Sequence, residues 1–178
     1  MLKFILAATL VTALSSAAFA QSVGEQTGVN SALGIAPKIA DFIKEAATSD
    51  MLEIDAAKIS EQKGNADEKQ FAQQMITDHT KTSSELKGLV PADMKSALPT
   101  ALDDSSQKKL DKLRDTKADD FAGQYDPMQV SAHKDAVSLF ERYAKGGEDL
   151  KLKDWAGKTL PALQHHLEMA QALDKARK

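Results

Sequence analysis

The sequence predicts an all-α fold, an up-down-up-down bundle of four long helices with a short extra helix in the central crossover. Three observations support this fold class. Apolar residues recur every three or four positions over four long stretches, as they do in amphipathic helices that share one core. No window of four or more residues alternates convincingly as a strand would, and glycines lie almost only at predicted helix ends.

The first 20 residues are interpreted as a cleaved export signal. One basic residue precedes a short apolar run, which ends at Ala18-Phe19-Ala20, an A-x-A cleavage pattern. The run is too short to span a bilayer comfortably, so a retained anchor is the less favoured alternative. Cleavage after Ala20 predicts a periplasmic or secreted bacterial protein with no transmembrane segment in the mature chain.

Composition limits the function classes. Of the 178 residues none is cysteine, which excludes disulfides and thiolate metal sites, and the formal charge of −3 argues against a nucleic-acid partner. The mature chain is long enough for a single core. We expect a flexible leader at 21–36, rich in Gly, Ser, Gln and Asn, and one helical domain at 37–178.

The first two long helices are predicted to be adjacent. The first begins with Pro37 in its opening turn and runs to about Lys63, where Gly64-Asn65 ends it. The second runs from about Ala66 to Val90. Such a short connection makes the two helices antiparallel neighbours.

A short extra helix is predicted in the connection that follows. The polar run Asp103–Ser106 can cap a helix that ends near Thr116. Leu110 and Leu113 give this helix one narrow apolar edge. We therefore expect it to lie across the end of the bundle.

Two further long helices complete the predicted bundle. The third spans about 119–145 and contains Pro127, which can kink it. The fourth spans about 149–176 and contains Pro161, where the helix either bends or is interrupted. Both carry an apolar stripe along one face.

A candidate metal site emerges from the inner faces of these helices. His79, His133 and His166 fall on the predicted inner stripe of three helices, and Glu53 falls on that of the fourth. With a rise of about 1.5 Å per residue, the four side chains come to similar heights, the largest offset being about 7 Å. Imidazole and carboxylate together suit zinc, iron, copper or manganese, so these four residues are the predicted ligands.

Further residues could support this site or replace the metal. Asp50 and Glu141 are the candidate partners of the ligands, lying one turn from Glu53 and two turns from His133. The main alternative is a structural polar layer in which a Glu53–His79 pair satisfies both groups without a metal. Of the adjacent histidines 165 and 166, we favour the second as inward-facing, because it shares a face with apolar neighbours.

The arrangement resembles an exported bacterial family catalogued only as a domain of unknown function, with a ferritin-like four-helix bundle. The resemblance covers about residues 36–174 and is carried by Phe42, Ala47 to Glu53-Ile54, Phe71-Ala72, Met75, Asp78-His79, Phe121, Tyr125, Gln129-Val130, His133, Leu139-Phe140-Glu141, Leu160-Pro161, Leu163 and His166-Leu167. It implies the fold and an envelope location, and no established reaction.

The chain departs from the metal pattern of the wider ferritin-like superfamily. Those proteins hold two metals with Glu-x-x-His pairs, whereas here Ile76 and Val130 stand three residues before His79 and His133. Too few carboxylates converge for a di-iron oxidase of the usual kind. The departure leaves a single-metal site, or none.

Three functional readings follow. The first is an exported ferritin-like bundle protein, non-enzymatic by default, that binds a single transition metal and has no assigned catalytic residues. The second is a structural or stress-related envelope protein that binds protein or lipid partners, with its histidines only as buried hydrogen-bonded groups. The third and least supported is a metalloenzyme such as a hydrolase or oxidase.

Overall fold

The computed structural model describes residues 21–177, and within that range every regular element is helical. The predicted export signal at 1–20 lies outside the described residues. The α-helices are α1 (Val23–Gln26), α2 (Val29–Leu33), α3 (Ile39–Lys63), α4 (Ala66–Leu89), α5 (Asp104–Asp115), α6 (Phe121–Gly146) and α7 (Leu150–Ala176). Two short 3-10 helices, Ala92–Ala97 and Ala118–Asp120, flank α5. The all-α prediction is confirmed.

The helix ends follow local sequence chemistry. At the start of α4 the Asn65 side chain accepts from the backbone N–H of Asp67 and Glu68, and the Glu68 carboxylate accepts from the Asn65 N–H. This reciprocal cap satisfies donors that the first helical turn leaves unpaired. Pro37 lies just before α3 rather than in its first turn, because the helix begins at Ile39.

The prolines do not end their helices. Both α6 and α7 continue through Pro127 and Pro161 as single elements, so the predicted interruption in the last helix is absent. Proline removes one helical hydrogen bond, which packing along the rest of a long helix can offset.

The four long helices pack as two antiparallel pairs, α3 with α4 and α6 with α7. One apolar cluster joins the N-terminal halves of α3 and α7 to the C-terminal halves of α4 and α6. There Phe42 stacks on Tyr143 with ring centroids 3.8 Å apart, and Trp155 packs against Phe42 edge-on. A second cluster joins the four opposite halves.

This packing makes α4 and α6 parallel, so the predicted up-down-up-down order is wrong. In chain order the long helices run up, down, down, up. The reason is the long connection between α4 and α6, which carries the chain back along the bundle before α6 begins. The sequence predicted a crossover there but not its direction.

The crossover helix α5 lies along the side of the bundle. The prediction that it lies across the end of the bundle is therefore wrong. Leu110 and Leu113 are buried in the same cluster as Leu52 of α3. Ser106, in the first turn of α5, lines the same cavity as Leu52 in the middle of α3, whereas the Lys63 amine at the end of α3 donates to carbonyl groups at the end of α5. The two helices therefore run side by side in the same direction.

The segment 21–36 also differs from the expected flexible leader. It contains α1 and α2, and it is fastened to the long helices by polar contacts. Glu25 and Arg142 form a buried ion pair at 2.6 Å, and the backbone N–H of Ser22 donates to Asp41 at 3.0 Å. Composition gave no sign of these contacts, because the partners are far away in sequence.

A polar layer separates the two apolar clusters. It contains the buried residues Asp50, Glu53, His79, His133 and His166. None of the helices between residues 21 and 177 carries an apolar stretch long enough to cross a membrane.

Candidate metal centre

His79 projects from the middle of α4 into the polar layer, where it is almost fully buried. Its Nδ1 lies 2.8 Å from Asp50 Oδ1, and the Thr82 hydroxyl donates to the same carboxylate oxygen at 2.9 Å. Because that oxygen accepts both bonds, Nδ1 carries the hydrogen. The second ring nitrogen, Nε2, has no hydrogen-bond partner among residues 21–177.

His133 is oriented by its own helix. Its Nδ1 donates to the backbone carbonyl of Gln129, one turn earlier in α6, at 2.9 Å. A carbonyl oxygen only accepts, so this contact also fixes the hydrogen on Nδ1. As in His79, Nε2 is buried and unpaired.

His166 on α7 uses the opposite ring nitrogen. Its Nε2 lies 2.8 Å from Asp78 Oδ2 on α4. Burial alone would raise the pKa of Asp78, but hydrogen bonds from Gln74 and His166 outweigh it and lower that pKa. Asp78 is therefore an ionised acceptor, and the unpaired nitrogen of His166 is Nδ1.

The three histidines converge. One ligand nitrogen from each lies within 4.8 Å of the others, and the ring centroids are 5.5–5.7 Å apart. Atoms no more than 4.8 Å apart can share a centre at most about 2.8 Å from each, against about 2.1 Å for a zinc–imidazole bond. Side-chain shifts below 1 Å would thus close the cluster onto one ion.

Two of these histidines are held neutral. Burial lowers the pKa of His166 to about 4, despite its bond to Asp78, and burial likewise lowers the pKa of His133. Burial also acts to lower the pKa of His79, but the hydrogen bond that His79 donates to Asp50 and the charge of Glu53 outweigh it and raise that pKa. Neutral imidazole is the form that binds metal, so His133 and His166 are in the required state, whereas the raised pKa of His79 means that a bound metal has to compete with a proton there.

Glu53 occupies the same layer from α3. It is only 1% exposed, and neither carboxylate oxygen has a hydrogen-bond partner among the described residues. It does not belong to the cluster of mutually close ligand atoms, which holds only the three histidines. A buried, unpartnered carboxylate is costly, so this position favours a nearby cation.

The other predicted residues fall in different places. Asp50 lies beside the cluster, where it pairs with His79 in place of the Glu53–His79 pair we considered. Glu141 is wrong as a supporting residue, because its carboxylate faces outward and pairs with Lys145 at 2.7 Å. Glu141 follows His133 by eight residues, and at about 100° per residue this separation places its side chain about 80° around the helix from that of His133.

Sequence reasoning missed three residues that orient the histidines. Asp78 and Thr82 flank His79 in sequence but bond to His166 and Asp50 on other helices. Gln129 contributes its carbonyl to His133, and its fully buried side-chain amide has no partner of its own. One sequence signal could have found Asp78: it immediately precedes the inward-facing His79, so helical periodicity places it on the flank of α4 that faces a neighbouring helix.

The arrangement has the features of a tripodal imidazole site. Each histidine comes from a different helix, each has one nitrogen fixed by an acceptor, and each leaves the other nitrogen unpaired in the interior. Acceptors of this kind set the tautomer and raise the basicity of a metal-bound histidine. Three imidazoles can bind a transition ion and leave a position for a further ligand.

Comparison with known proteins identifies the family. Neither the search of curated proteins nor that of solved structures finds a match. A family profile described as "Domain of unknown function (DUF4142)" matches residues 24–173, which is most of the chain. The chain therefore belongs to this family of proteins with a domain of unknown function.

Proposed function

We propose that this protein is an exported, periplasmic, ferritin-like bundle protein that binds one transition-metal ion through His79, His133 and His166. The observation that carries the proposal is the convergence of three buried histidines: each offers one ring nitrogen within 4.8 Å of those of the other two, and each has a ring nitrogen without a hydrogen-bond partner among the described residues. Unsatisfied buried polar atoms are destabilising, so three such nitrogens in one layer favour a common partner. One cation supplies that partner.

Glu53 is the proposed fourth ligand or charge-balancing group. Its carboxylate is buried with both oxygens lacking a hydrogen-bond partner among the described residues, and its negative charge acts on both His79 and His133. Imidazole ligands with one carboxylate suit zinc, iron, copper or manganese. The A-x-A pattern at residues 18–20 supports export, and the two antiparallel helix pairs joined by a crossover support the ferritin-like arrangement.

The direct test is the metal content of the exported protein, purified from periplasm without chelator. Mass spectrometry should find close to one transition-metal ion per chain. His79→Ala and His133→Ala should each lose it, since each removes one ligand. His165→Ala is the matched control, because His165 is the exposed neighbour of His166 and should leave the metal content unchanged.

Thermal unfolding gives a second readout. Metal-free protein should gain about 2.7 kcal/mol of stability when free metal reaches 100 times its dissociation constant. A metal-free wild type that gains no stability from zinc, manganese, ferrous or cupric ions would contradict the proposal.

A second candidate is a non-catalytic structural or stress-related envelope protein that binds protein or lipid partners. The observation that favours it is that each histidine already has one protein acceptor and that His133 and His166 are held neutral. On this view the layer is a structural core held together by these hydrogen bonds. Stability that does not respond to metals or to chelators, together with a fold that survives His133→Gln, would support this candidate over the first.

A further inference from the structure

Carboxylates outnumber cations where the N-terminal segment meets the bundle. Glu25 from α1 and Asp41 and Glu45 from α3 lie together there, with Arg142 of α6 as their shared cation. Arg142 is committed to one of them: its guanidinium donates to both Glu25 oxygens, at 2.6 and 3.2 Å, and to the Ile35 carbonyl at 2.8 Å.

The other two carboxylates have only neutral donors. Asp41, which is 4% exposed, accepts from the backbone N–H of Ser22 at 3.0 and 3.3 Å. Glu45 accepts from the Gln21 side-chain amide at 2.5 Å. Within residues 21–177 neither has a Lys or Arg ion-pair partner. Burial, followed by the negative charge of Glu25, raises the pKa of Glu45 to about 7, so this corner lacks positive charge.

The sequence itself can supply that charge. Cleavage after Ala20 would turn the backbone nitrogen of Gln21 into an α-ammonium group. Adjacent Cα atoms are about 3.8 Å apart, so the new cation would stand one residue from the Ser22 N–H that already reaches Asp41. In the uncleaved chain the same nitrogen is a neutral amide.

We propose that the α-ammonium group created at Gln21 by signal removal docks as an ion pair against Asp41 and Glu45, and so fastens α1 and α2 to the bundle. The acidic corner is then the binding site for the chain's own processed amino terminus. The inference depends on the proposed export and is independent of the metal site.

One chemical consequence follows. A free N-terminal glutamine can cyclise: its amine attacks its own side-chain amide carbon, the new C–N bond forms, and ammonia leaves. Only the unprotonated amine is nucleophilic, so an amine held as ammonium between carboxylates should react slowly. The Gln21 amide is also held on Glu45, which restrains the side chain from folding back.

The test begins with the exported protein. Its intact mass should correspond to a chain that starts at Gln21 without loss of ammonia. NMR titration of the isotopically labelled α-amine should then give a pKa at least one unit above the usual value of about 7.7–8.0, a tenfold or greater preference for the charged form. Glu45→Gln and Asp41→Asn should each lower this pKa. Glu61→Gln is the control, because Glu61 is exposed at the far end of α3 and should not change it.

The outcomes separate the two proposals. A chain that starts at another residue would overturn both the assigned cleavage and the docking. A chain that starts at Gln21 with an ordinary α-amine pKa, or one that cyclises completely, would overturn the docking alone. An equal pKa in Glu45→Gln and wild type, with Asp41→Asn also unchanged, would overturn it as well.

Discussion

His79 Nδ1 lies 2.8 Å from Asp50 Oδ1, so a carboxylate on α3 decides which nitrogen of an α4 histidine faces the interior. The contact joins the two helices at the height of the polar layer. It leaves Nε2 of His79 without a hydrogen-bond partner among the described residues, in a ring whose centroid lies 5.5–5.7 Å from those of His133 and His166. Metal binding and helix packing thus depend on the same hydrogen bond.

Asp50→Asn should weaken metal binding by about 10- to 100-fold, the usual effect of removing an acceptor behind a ligating histidine. The amide still fills the space but is a poorer acceptor for Nδ1–H, so His79 loses its fixed tautomer. Isothermal titration calorimetry with the metal measures the change in the dissociation constant. Asp55→Asn, five residues further along α3 at a half-exposed position, is the control, and equal affinity in both variants would contradict the assigned role.

Glu53→Gln should separate stability from metal binding. It removes a buried carboxylate whose two oxygens have no hydrogen-bond partner, so the metal-free protein should unfold with a free energy equal to or about 1 kcal/mol above that of wild type. The same change should reduce metal affinity, because a charge-balancing group is lost. Urea unfolding with and without metal gives both quantities. A strongly destabilised metal-free variant would show that Glu53 has a structural partner instead.

Asp126 should make stability fall as the pH rises from about 4 to about 7. Burial, and then the charge of neighbouring Glu68, raises the pKa of Asp126 from 3.8 to about 7, so folding takes up a proton there. The contribution of Asp126 to the free energy of unfolding is fully present below about pH 4 and is lost as the pH rises through about 7.

Asp126→Asn should remove this pH dependence. The expected effect between pH 5 and 8 is about 1–2 kcal/mol in the free energy of unfolding, allowing for solvent screening. Unfolding curves at several pH values give the slope. Asp119→Asn, at an exposed position just before α6, should keep the wild-type slope, and a wild-type slope in Asp126→Asn would contradict the prediction.

Lys63→Met should loosen the attachment of α5. The Lys63 amine donates to the Leu113 carbonyl at 3.4 Å, to that of Thr116 at 2.7 Å and to that of Arg114. A cation at a helix C-terminus satisfies free carbonyls and interacts favourably with the helix dipole, so its loss should cost about 1–2 kcal/mol.

The control for this change is Lys58→Met on the same helix. Lys58 is more than half exposed and contacts only Asp55 one turn away, so its replacement should cost less than about 0.5 kcal/mol. Chemical denaturation measures both. Equal stability of the two variants would mean that α5 is held by Leu110 and Leu113 alone.

The sequence predicted best the features that depend on neighbouring residues. The end of α3 at Lys63, just before Gly64, and the start of α4 at Ala66 follow from chemistry within one turn. That His166 is buried and His165 exposed follows from helical period, because adjacent residues point about 100° apart. The same period put His79 and His133 on the core side.

The sequence predicted less well the contacts between residues on different helices. His79 pairs with Asp50 and not with Glu53 because of the register between α3 and α4. The two carboxylates are less than one helical turn apart, and sequence periodicity does not fix the register that closely. The sequence did not predict α1 and α2 because neither has apolar residues at helical spacing. The N-terminal segment is instead attached to the bundle through the ion pair between Glu25 and the distant Arg142.

The sequence by itself thus determined that the protein is all helical, where its long helices lie, and that three histidines face inward. Only the tertiary structure decided that α4 and α6 run parallel, that α5 lies along the side of α3, and that the three histidines meet at one point. The reason is physical: periodicity fixes the direction of a side chain about its own helix axis, whereas distances between helices come from packing the whole core.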